Sequence, residues 1–302
     1  DFRGQVGQRL AVGVAPLDIA DRHAVVVFEL SSYQTADMNF LPDIAGLTNL
    51  YPEHVDWHGS LERYYRDKLH LIDREGGFPV ALGAAAQGNA LVASAVRDPA
   101  RLIRDLTPDE RASLDRAIAA SRLKGAHNRD NAHLAARIAL AAGAGLEGIL
   151  SGIAAFIPLP HRLEEHRLGS TIFVNDSIST TPEATKAALA AYQGHRLALI
   201  GGGHERQQDY GELAGLLAAY GVTTLACLPV TGARLAEATR QAAPHITVLA
   251  EPDLEAAMHA LHRHRDRFDA VILSPGAPSY NQFKNFEQRG LKFIELAQAI
   301  FG

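Results

Sequence analysis

The sequence is poor in several things that decide what a protein can be. It has one cysteine, Cys227, in 302 residues, so no internal disulfide can form. A lone thiol fits a reducing compartment, and the expectation is a cytoplasmic protein. No apolar run reaches ~18 residues, the length a membrane-spanning helix needs, and no secretory leader pattern is visible. Positive charge is not in excess: 29 Lys and Arg stand against 34 Asp and Glu, a net charge of -5. That balance lacks the footprint of a nucleic-acid binder. There is also no Gly-x-x-x-x-Gly-Lys-[Ser/Thr] phosphate loop. What remains, 47% apolar and 21% charged residues, is ordinary globular composition, and the length suits two domains better than one.

Two stretches near the start carry chemistry. Ala24-Val25-Val26-Val27-Phe28 is β-branched and apolar, which predicts a strand buried on both faces. It runs into Glu29-Leu30-Ser31-Ser32-Tyr33-Gln34, and a carboxylate at the tip of a buried strand is costly unless paired or bound to a metal. Ile44 to Leu50 predicts a second buried strand, followed by Tyr51-Pro52-Glu53-His54-Val55-Asp56-Trp57-His58-Gly59. Ser60 is placed to cap a helix that carries Lys68 two turns in. Loops at the carboxyl ends of parallel strands are where α/β proteins put ligands. Glu53 and Asp56 offer hard oxygens and His54 a neutral imidazole. A solvated loop with scattered histidines would use the same residues, and this stretch alone does not decide between them. With the first strand beside it, Glu29, His54 and Lys68 are expected to converge on one crevice for a polyanion.

Further on, Pro79 to Gly83, Leu91 to Ala93 and Arg101 to Ile103 predict short strands of a small accessory sheet. Thr107 to Arg122 could be helix or loop. Lys124-Gly125-Ala126-His127-Asn128-Arg129-Asp130-Asn131 opens an alanine-rich helix, Ala132 to Ala142. Asparagines at such a point are helix caps or ligands; an amide both donates and accepts, as the edge of a purine requires. Ile157-Pro158-Leu159-Pro160 breaks the pattern and predicts a boundary between domains 1–157 and 158–302. From Thr171 strands and helices alternate. Strands are expected at Thr171 to Val174, Leu197 to Ile200, Thr224 to Leu228, Ile246 to Leu249 and Ala270 to Leu273, with helices such as Thr185 to Tyr192 and Tyr210 to Tyr220 between them. This spacing predicts a mostly parallel, Rossmann-like sheet. Gly201-Gly202-Gly203 does not complete Gly-x-Gly-x-x-Gly, since Arg206 stands at the last glycine position, so a nicotinamide cofactor is not expected.

Several motifs together resemble one family. They are Glu29 to Gln34, Pro52 to Gly59, Tyr65-Arg66-Asp67-Lys68-Leu69, Gly125 to Asn131, Leu159-Pro160-His161-Arg162, Asn175-Asp176-Ser177, and Ser274 to Gly290. The chain is similar to the Mur ligases, above all the branch that adds glutamate to UDP-N-acetylmuramoyl-L-alanine. The resemblance implies an α/β protein: a partial central ATPase domain followed by a Rossmann-like C-terminal domain. It implies an ATP-dependent amide ligase using ATP and magnesium, with UDP-N-acetylmuramoyl-L-alanine and glutamate as substrates, no nucleic-acid partner, no membrane insertion and a monomeric state. Glu29 and His54 would hold magnesium, with Lys68 carbamylated so that it serves the metal as a carboxylate. Asn128 and Asn131 would contact the adenine end of ATP, and Asp176 the ribose. Arg162 would reach the phosphates, a task suited to a guanidinium that stays charged and binds oxygens in pairs. Thr180 and Ser279 would line the glutamate site, Phe286 would form its aromatic wall, and Arg206 falls near a family lysine that binds a glutamate carboxylate.

The resemblance also sets departures. The family's phosphate loop and uridine-binding domain lie upstream of the motifs found here, so the chain is expected to be a fragment lacking both, inactive by itself. Gly4-Gln5-Val6-Gly7 has glutamine where the family usually has asparagine. Ile178 stands where the glutamate-adding branch commonly has lysine. Asn175-Asp176-Ser177-Ile178-Ser179-Thr180-Thr181-Pro182 resembles a form that adds L-glutamate, and that enantiomer is favoured. The alternatives are a D-glutamate ligase, a folylpolyglutamate synthase-like ligase, or a nucleotide-binding fragment without turnover.

Overall fold

A computed structural model describes residues 25–52 and 55–302. In chain order the elements are α1 (Ser32–Ala36), β1 (Ala45–Leu47), α2 (Val55–His58), α3 (Leu61–Leu69), β2 (Val80–Leu82), α4 (Ala84–Gln87), α5 (Ala90–Ala95), α6 (Pro108–Ala120), α7 (Ala126–Ala141), α8 (Leu146–Ala155), β3 (Glu164–Leu168), β4 (Thr171–Asn175), α9 (Pro182–Ala191), β5 (Leu197–Gly201), α10 (Gly211–Leu216), β6 (Val222–Cys227), α11 (Gly232–Ala242), β7 (Thr247–Ala250), α12 (Leu254–Arg263), β8 (Ala270–Leu273) and α13 (Phe286–Phe301). They divide into two compact units. The first comprises residues up to Leu114 with Asp130–Ser151, and the second Asp115–Arg129 with Gly152–Gly302. No helix of the described residues is long and apolar enough to cross a membrane.

In the first unit β1 and β2 pair in parallel, Ala45 opposite Val80 and Leu47 opposite Leu82. Leu47, Leu50, Leu69, Ile72, Phe78, Val80, Leu82 and Val92 form the core around them. Arg101, itself buried, donates to the carbonyls of Phe78 and Ile72 and closes the β2 side. Three expected strands do not form here. Val25 to Phe28 form no strand and are solvent-exposed, Val27 at 89%. A strand needs a neighbour to take its backbone hydrogen bonds, and no described strand lies beside this run. Leu91 to Ala93 belong to helix α5, not to a strand. Asn89 accepts from the Leu91 amide at 2.9 Å and starts that helix, so the asparagine is a cap rather than a turn residue. Arg101 ends a 3-10 turn, and Leu102 makes only an isolated bridge to Val80, so of the three strands expected for an accessory sheet only β2 forms, and it pairs with β1 instead. The open stretch at Thr107 to Arg122 is helix α6.

The second unit is built on a six-stranded sheet in the order β3-β4-β8-β5-β6-β7, parallel except for β3. Successive residues of each strand alternate between two apolar layers. Ile172, Val174, Leu197, Leu199, Leu225 and Ile272 face one side, where α9, α10 and α11 contribute Leu189, Leu213 and Leu235. Phe173, Ala198, Ile200, Ala226, Val271 and Leu273 face the other, where α12 and α13 contribute Met258, Leu261, Phe293 and Leu296. Burial on both faces explains why these strands read as continuous apolar runs. All five strands expected from the sequence are present, each within two residues of its expected start and one of its end. Strand β3 was not expected; its residues Glu164-Glu165-His166-Arg167-Leu168 are charged because it is an antiparallel edge strand, half exposed along its length.

Candidate functional site

The carboxyl ends of β4 and β8, adjacent in the sheet, carry a buried polar network. β4 delivers Asn175 and Asp176, both buried, at its end. Asp176 accepts from Ser179 Oγ at 2.6 Å, from Ser274 Oγ at 2.7 Å and from the Leu163 amide at 3.2 Å. Burial raises its pKa from the ordinary 3.8 to about 6; the hydroxyl and amide donors and the charge of nearby Arg162 pull it back down. The amide nitrogen of Asn175 lies 2.8 Å from His161 Nδ1 and donates to Glu164 Oε2 at 3.2 Å. Two left-handed residues, His161 at φ 64° and Leu163 at φ 48°, flank Arg162, whose side chain is exposed beside this network.

Arg289 holds the two strand-end loops together. It is 1% exposed, and its guanidinium donates to Ser177 Oγ at 3.0 Å, to the Ser177 carbonyl at 2.8 Å and to the Ala277 carbonyl at 3.1 Å. Its acceptors are neutral, and burial lowers its pKa to about 9. Ser177 Oγ donates in turn to the Phe286 carbonyl at 2.8 Å, tying the start of α13 to the end of β4. On the β8 side, Thr185 Oγ1 donates to the Ser274 carbonyl and Tyr210 OH to the Gly276 carbonyl. Gly202, at φ 104°, lets the loop after β5 pass close beneath, where its amide donates to the Pro275 carbonyl at 2.8 Å. A side chain there would meet the Leu228 carbonyl and the Gly232 backbone.

Around this frame, Ser279 is buried, Thr180 and Phe286 are half-buried, and the Phe286 ring meets His161 edge-on at 6.0 Å. Gln208 donates to the Thr180 carbonyl, linking the loop after β5 to the loop after β4. Arg206 is exposed in that same β5 loop. Asp176, Thr180, Ser279 and Phe286 are thus brought to one edge of the sheet, with Arg162 beside Asp176. Asn128 also belongs to the second unit; its amide donates to the Lys124 carbonyl at 2.7 Å.

In the first unit Glu29 is exposed, just ahead of α1. Ser60 caps α3 as expected, accepting from the Arg63 amide at 3.1 Å. Lys68, half-buried on α3, donates to the Tyr64 hydroxyl at 3.2 Å. Asn131 also lies in the first unit, on α7. His54, and Gln5 with it, lie outside the described residues. Among the described residues no three His, Cys, Asp or Glu side chains gather to hold a metal ion.

Residues 10–139 match the model of the Mur ligase middle domain, and residues 161–277 that of the Mur ligase glutamate ligase domain. A Micromonospora protein named UDP-N-acetylmuramoyl-L-alanine--L-glutamate ligase is 34% identical over 313 residues, which cover 96% of this chain and 67% of that one. The chain belongs to the Mur ligase family. A Xanthomonas axonopodis pv. citri protein of the same name is 39% identical over 97% of the chain, and the chain spans 65% of that relative's length. A Rubrobacter xylanophilus protein named UDP-N-acetylmuramoylalanine--D-glutamate ligase is 34% identical, over 93% of the chain and 66% of its own length. Among solved structures, a Mur ligase from Acinetobacter baumannii, MurF, superposes with a TM-score of 0.64 at 16% identity, covering 87% of this chain and 62% of its own.

Within this Mur ligase chain, sequence reasoning passed over two features. Arg289 was visible only as part of a motif. Its signal is phase: Phe286, Arg289 and Phe293 fall at i, i+3 and i+7, so an arginine sits on the apolar face of α13. The second is a buried contact joining Ser32, His58 and Asp67. Its members are far apart in sequence, and no spacing rule connects them.

Proposed function

We propose that this chain provides the catalytic and glutamate-binding parts of a cytoplasmic ATP-dependent ligase that joins glutamate, the L form preferred, to UDP-N-acetylmuramoyl-L-alanine, with functional domains at 1–157 and 158–302. The observation that carries the reading is the edge where β4 and β8 end: Asp176, Ser177, Ser279 and Phe286 on loops locked by a buried guanidinium, with Arg162 alongside. A rigid, partly dry polar frame suits an amino acid with two carboxylates and one amine that must arrive neutral. The two relatives named for L-glutamate support the choice of enantiomer, and the Rubrobacter relative keeps a D-glutamate ligase as the second reading.

In the proposed reaction an oxygen of the alanyl carboxylate attacks the γ-phosphorus of ATP and ADP leaves, giving an acyl phosphate. The glutamate amine then attacks the carbonyl carbon; the C–N bond forms, the C–O bond to phosphate breaks, and the amine gives up a proton. Both steps need positioning and charge neutralisation. Arg162 would meet the phosphates, Asn128 and Asn131 the adenine, and Asp176 the ribose. Thr180, Arg206, Ser279 and Phe286 would hold glutamate. The donors expected for magnesium suit a hard cation: the exposed carboxylate of Glu29, the imidazole of His54, and Lys68 once its neutral amine has added carbon dioxide and lost a proton. Magnesium would neutralise phosphate charge when bound.

The test expresses the longest reading frame containing this sequence and assays phosphate release with ATP, UDP-N-acetylmuramoyl-L-alanine and each glutamate enantiomer. Turnover with L-glutamate is expected. Preference for the D form rejects the enantiomer, and no turnover with either rejects the activity.

A further inference from the structure

His58 is buried, its side chain at 0% exposure, yet it carries two hydrogen bonds. Nδ1 lies 2.6 Å from Asp67 Oδ2, and Nε2 lies 3.0 Å from Ser32 Oγ. A carboxylate only accepts, so Nδ1 donates to Asp67, and Nε2 shares the second hydrogen bond with the serine hydroxyl. The residue types and the order of their hydrogen bonds match those of a nucleophilic serine relay, but their burial does not. Ser32 is 6% exposed and its hydroxyl is engaged by the buried imidazole, which leaves it little access to solvent or to an incoming molecule. The ring is also packed on three aromatic neighbours: Tyr33 stacks on it at 5.6 Å, and Trp57 and Tyr64 meet it edge-on at 4.5 and 5.3 Å.

Each member of this contact belongs to a different segment. Ser32 opens α1, three residues after Glu29; His58 ends α2, four residues after His54; Asp67 lies on α3, next to Lys68. Anchoring Asp67 fixes the rotation of α3 about its axis and so the direction in which Lys68 leaves it, because successive helical residues are ~100° apart. A second path reaches the same lysine. Tyr64, 1% exposed, packs on His58 and accepts from Lys68 Nζ at 3.2 Å. We infer that Ser32, His58 and Asp67 are positioning residues: a buried strut that sets Lys68 in place relative to the segments bearing Glu29 and His54. This rests on the proposed role of Lys68 given above.

The test uses the longest reading frame containing this chain and three variants, Ser32→Ala, Asp67→Ala and Asp67→Asn. Carbamate on Lys68 is read by 13C NMR after addition of 13C-bicarbonate, kcat and KM for ATP are read from phosphate release, and Tm by calorimetry. Ser32→Ala and Asp67→Ala are expected to lower kcat about tenfold or more, in the range typical of lost supporting contacts, with KM for ATP within about twofold. Their carbamate signal is expected to fall by about half or more while Tm moves by less than about 3 °C. Asp67→Asn keeps an oxygen that accepts from Nδ1, so kcat within about threefold of the unsubstituted protein is expected. Unchanged kcat and carbamate in the alanine variants, equal losses in Asp67→Asn and Asp67→Ala, or activity lost only in step with Tm would overturn the strut. If the unsubstituted protein forms no carbamate and ligates no glutamate, the reading of Lys68 has failed and the strut falls with it. If it does both and the variants match it, the strut alone is wrong.

Discussion

Asp176→Asn separates the charge of the β4 terminus from its shape. The carboxyl is buried, and its pKa in the folded protein is about 6 against an ordinary 3.8. Between those values the folded chain holds a proton that the unfolded chain has released. The stabilising contribution is therefore complete below 3.8 and is lost as pH rises through 6. At about 1.4 kcal/mol per pK unit, the loss is about 3 kcal/mol, roughly four-fifths of it between pH 4 and 7. Asparagine has the same shape and does not titrate. Its oxygen can accept from the Leu163 amide, and its nitrogen can donate to the Ser179 and Ser274 hydroxyls, which rotate to accept. The stability of Asp176→Asn relative to the parent is thus expected to rise by roughly 2 kcal/mol from pH 4 to pH 7, while every other titrating group cancels in the difference. Urea unfolding followed by circular dichroism at pH 4, 5, 6 and 7 measures it; tryptophan fluorescence does not serve, because Trp57 lies in the other unit. A difference that is flat with pH, or that shrinks as pH rises, refutes the reasoning.

Three further outcomes are expected. Arg289→Met leaves two buried carbonyls without donors and is expected to destabilise the second unit by about 3 kcal/mol or more, with Arg289→Lys recovering less than half; a urea-derived loss under about 1 kcal/mol would argue against the bracing role. Lys68→Ala, under the proposed function, is expected to abolish ligation in the longest reading frame, and Lys68→Arg not to restore it, since arginine does not take up carbon dioxide; full phosphate release by either variant removes Lys68 from the mechanism. Burial pushes the Cys227 thiol up to about 12, so at pH 8 only about one in ten thousand molecules carries the thiolate. Ellman's reagent is expected to react with it promptly only after denaturation, and fast reaction in the folded chain contradicts that burial.

Much of the second unit was legible because each of its inner strands is apolar on both faces, so Leu197 to Ile200 or Ala270 to Leu273 can be little else. The same rule misled at Val25 to Phe28: propensity is local, but a strand exists only where another strand takes its hydrogen bonds. It also missed β3, whose glutamates suit an edge that water reaches. Asp176 and Ser279 were findable because they directly follow strands or sit in a loop rich in Gly and Pro. Arg289 was hidden because its charge is one residue in an otherwise apolar helical stripe. The contact of Ser32 with His58 spans 26 residues of chain, and tertiary structure alone makes it.

Strand β8 sits between β4 and β5, pairing Ile172 with Ala270 and Leu197 with the same residue, yet it is the last of these six strands to be synthesised. Without it, β3-β4 and β5-β6-β7 share no strand pairing, and β4 and β5 each keep an unpaired edge. Closing the sheet therefore waits on contacts nearly a hundred residues apart, which makes assembly slow. A premature stop between Ala250 and Ala270 would release a chain whose two half-sheets lack their shared member and present unpaired backbone edges to whatever strand is nearest.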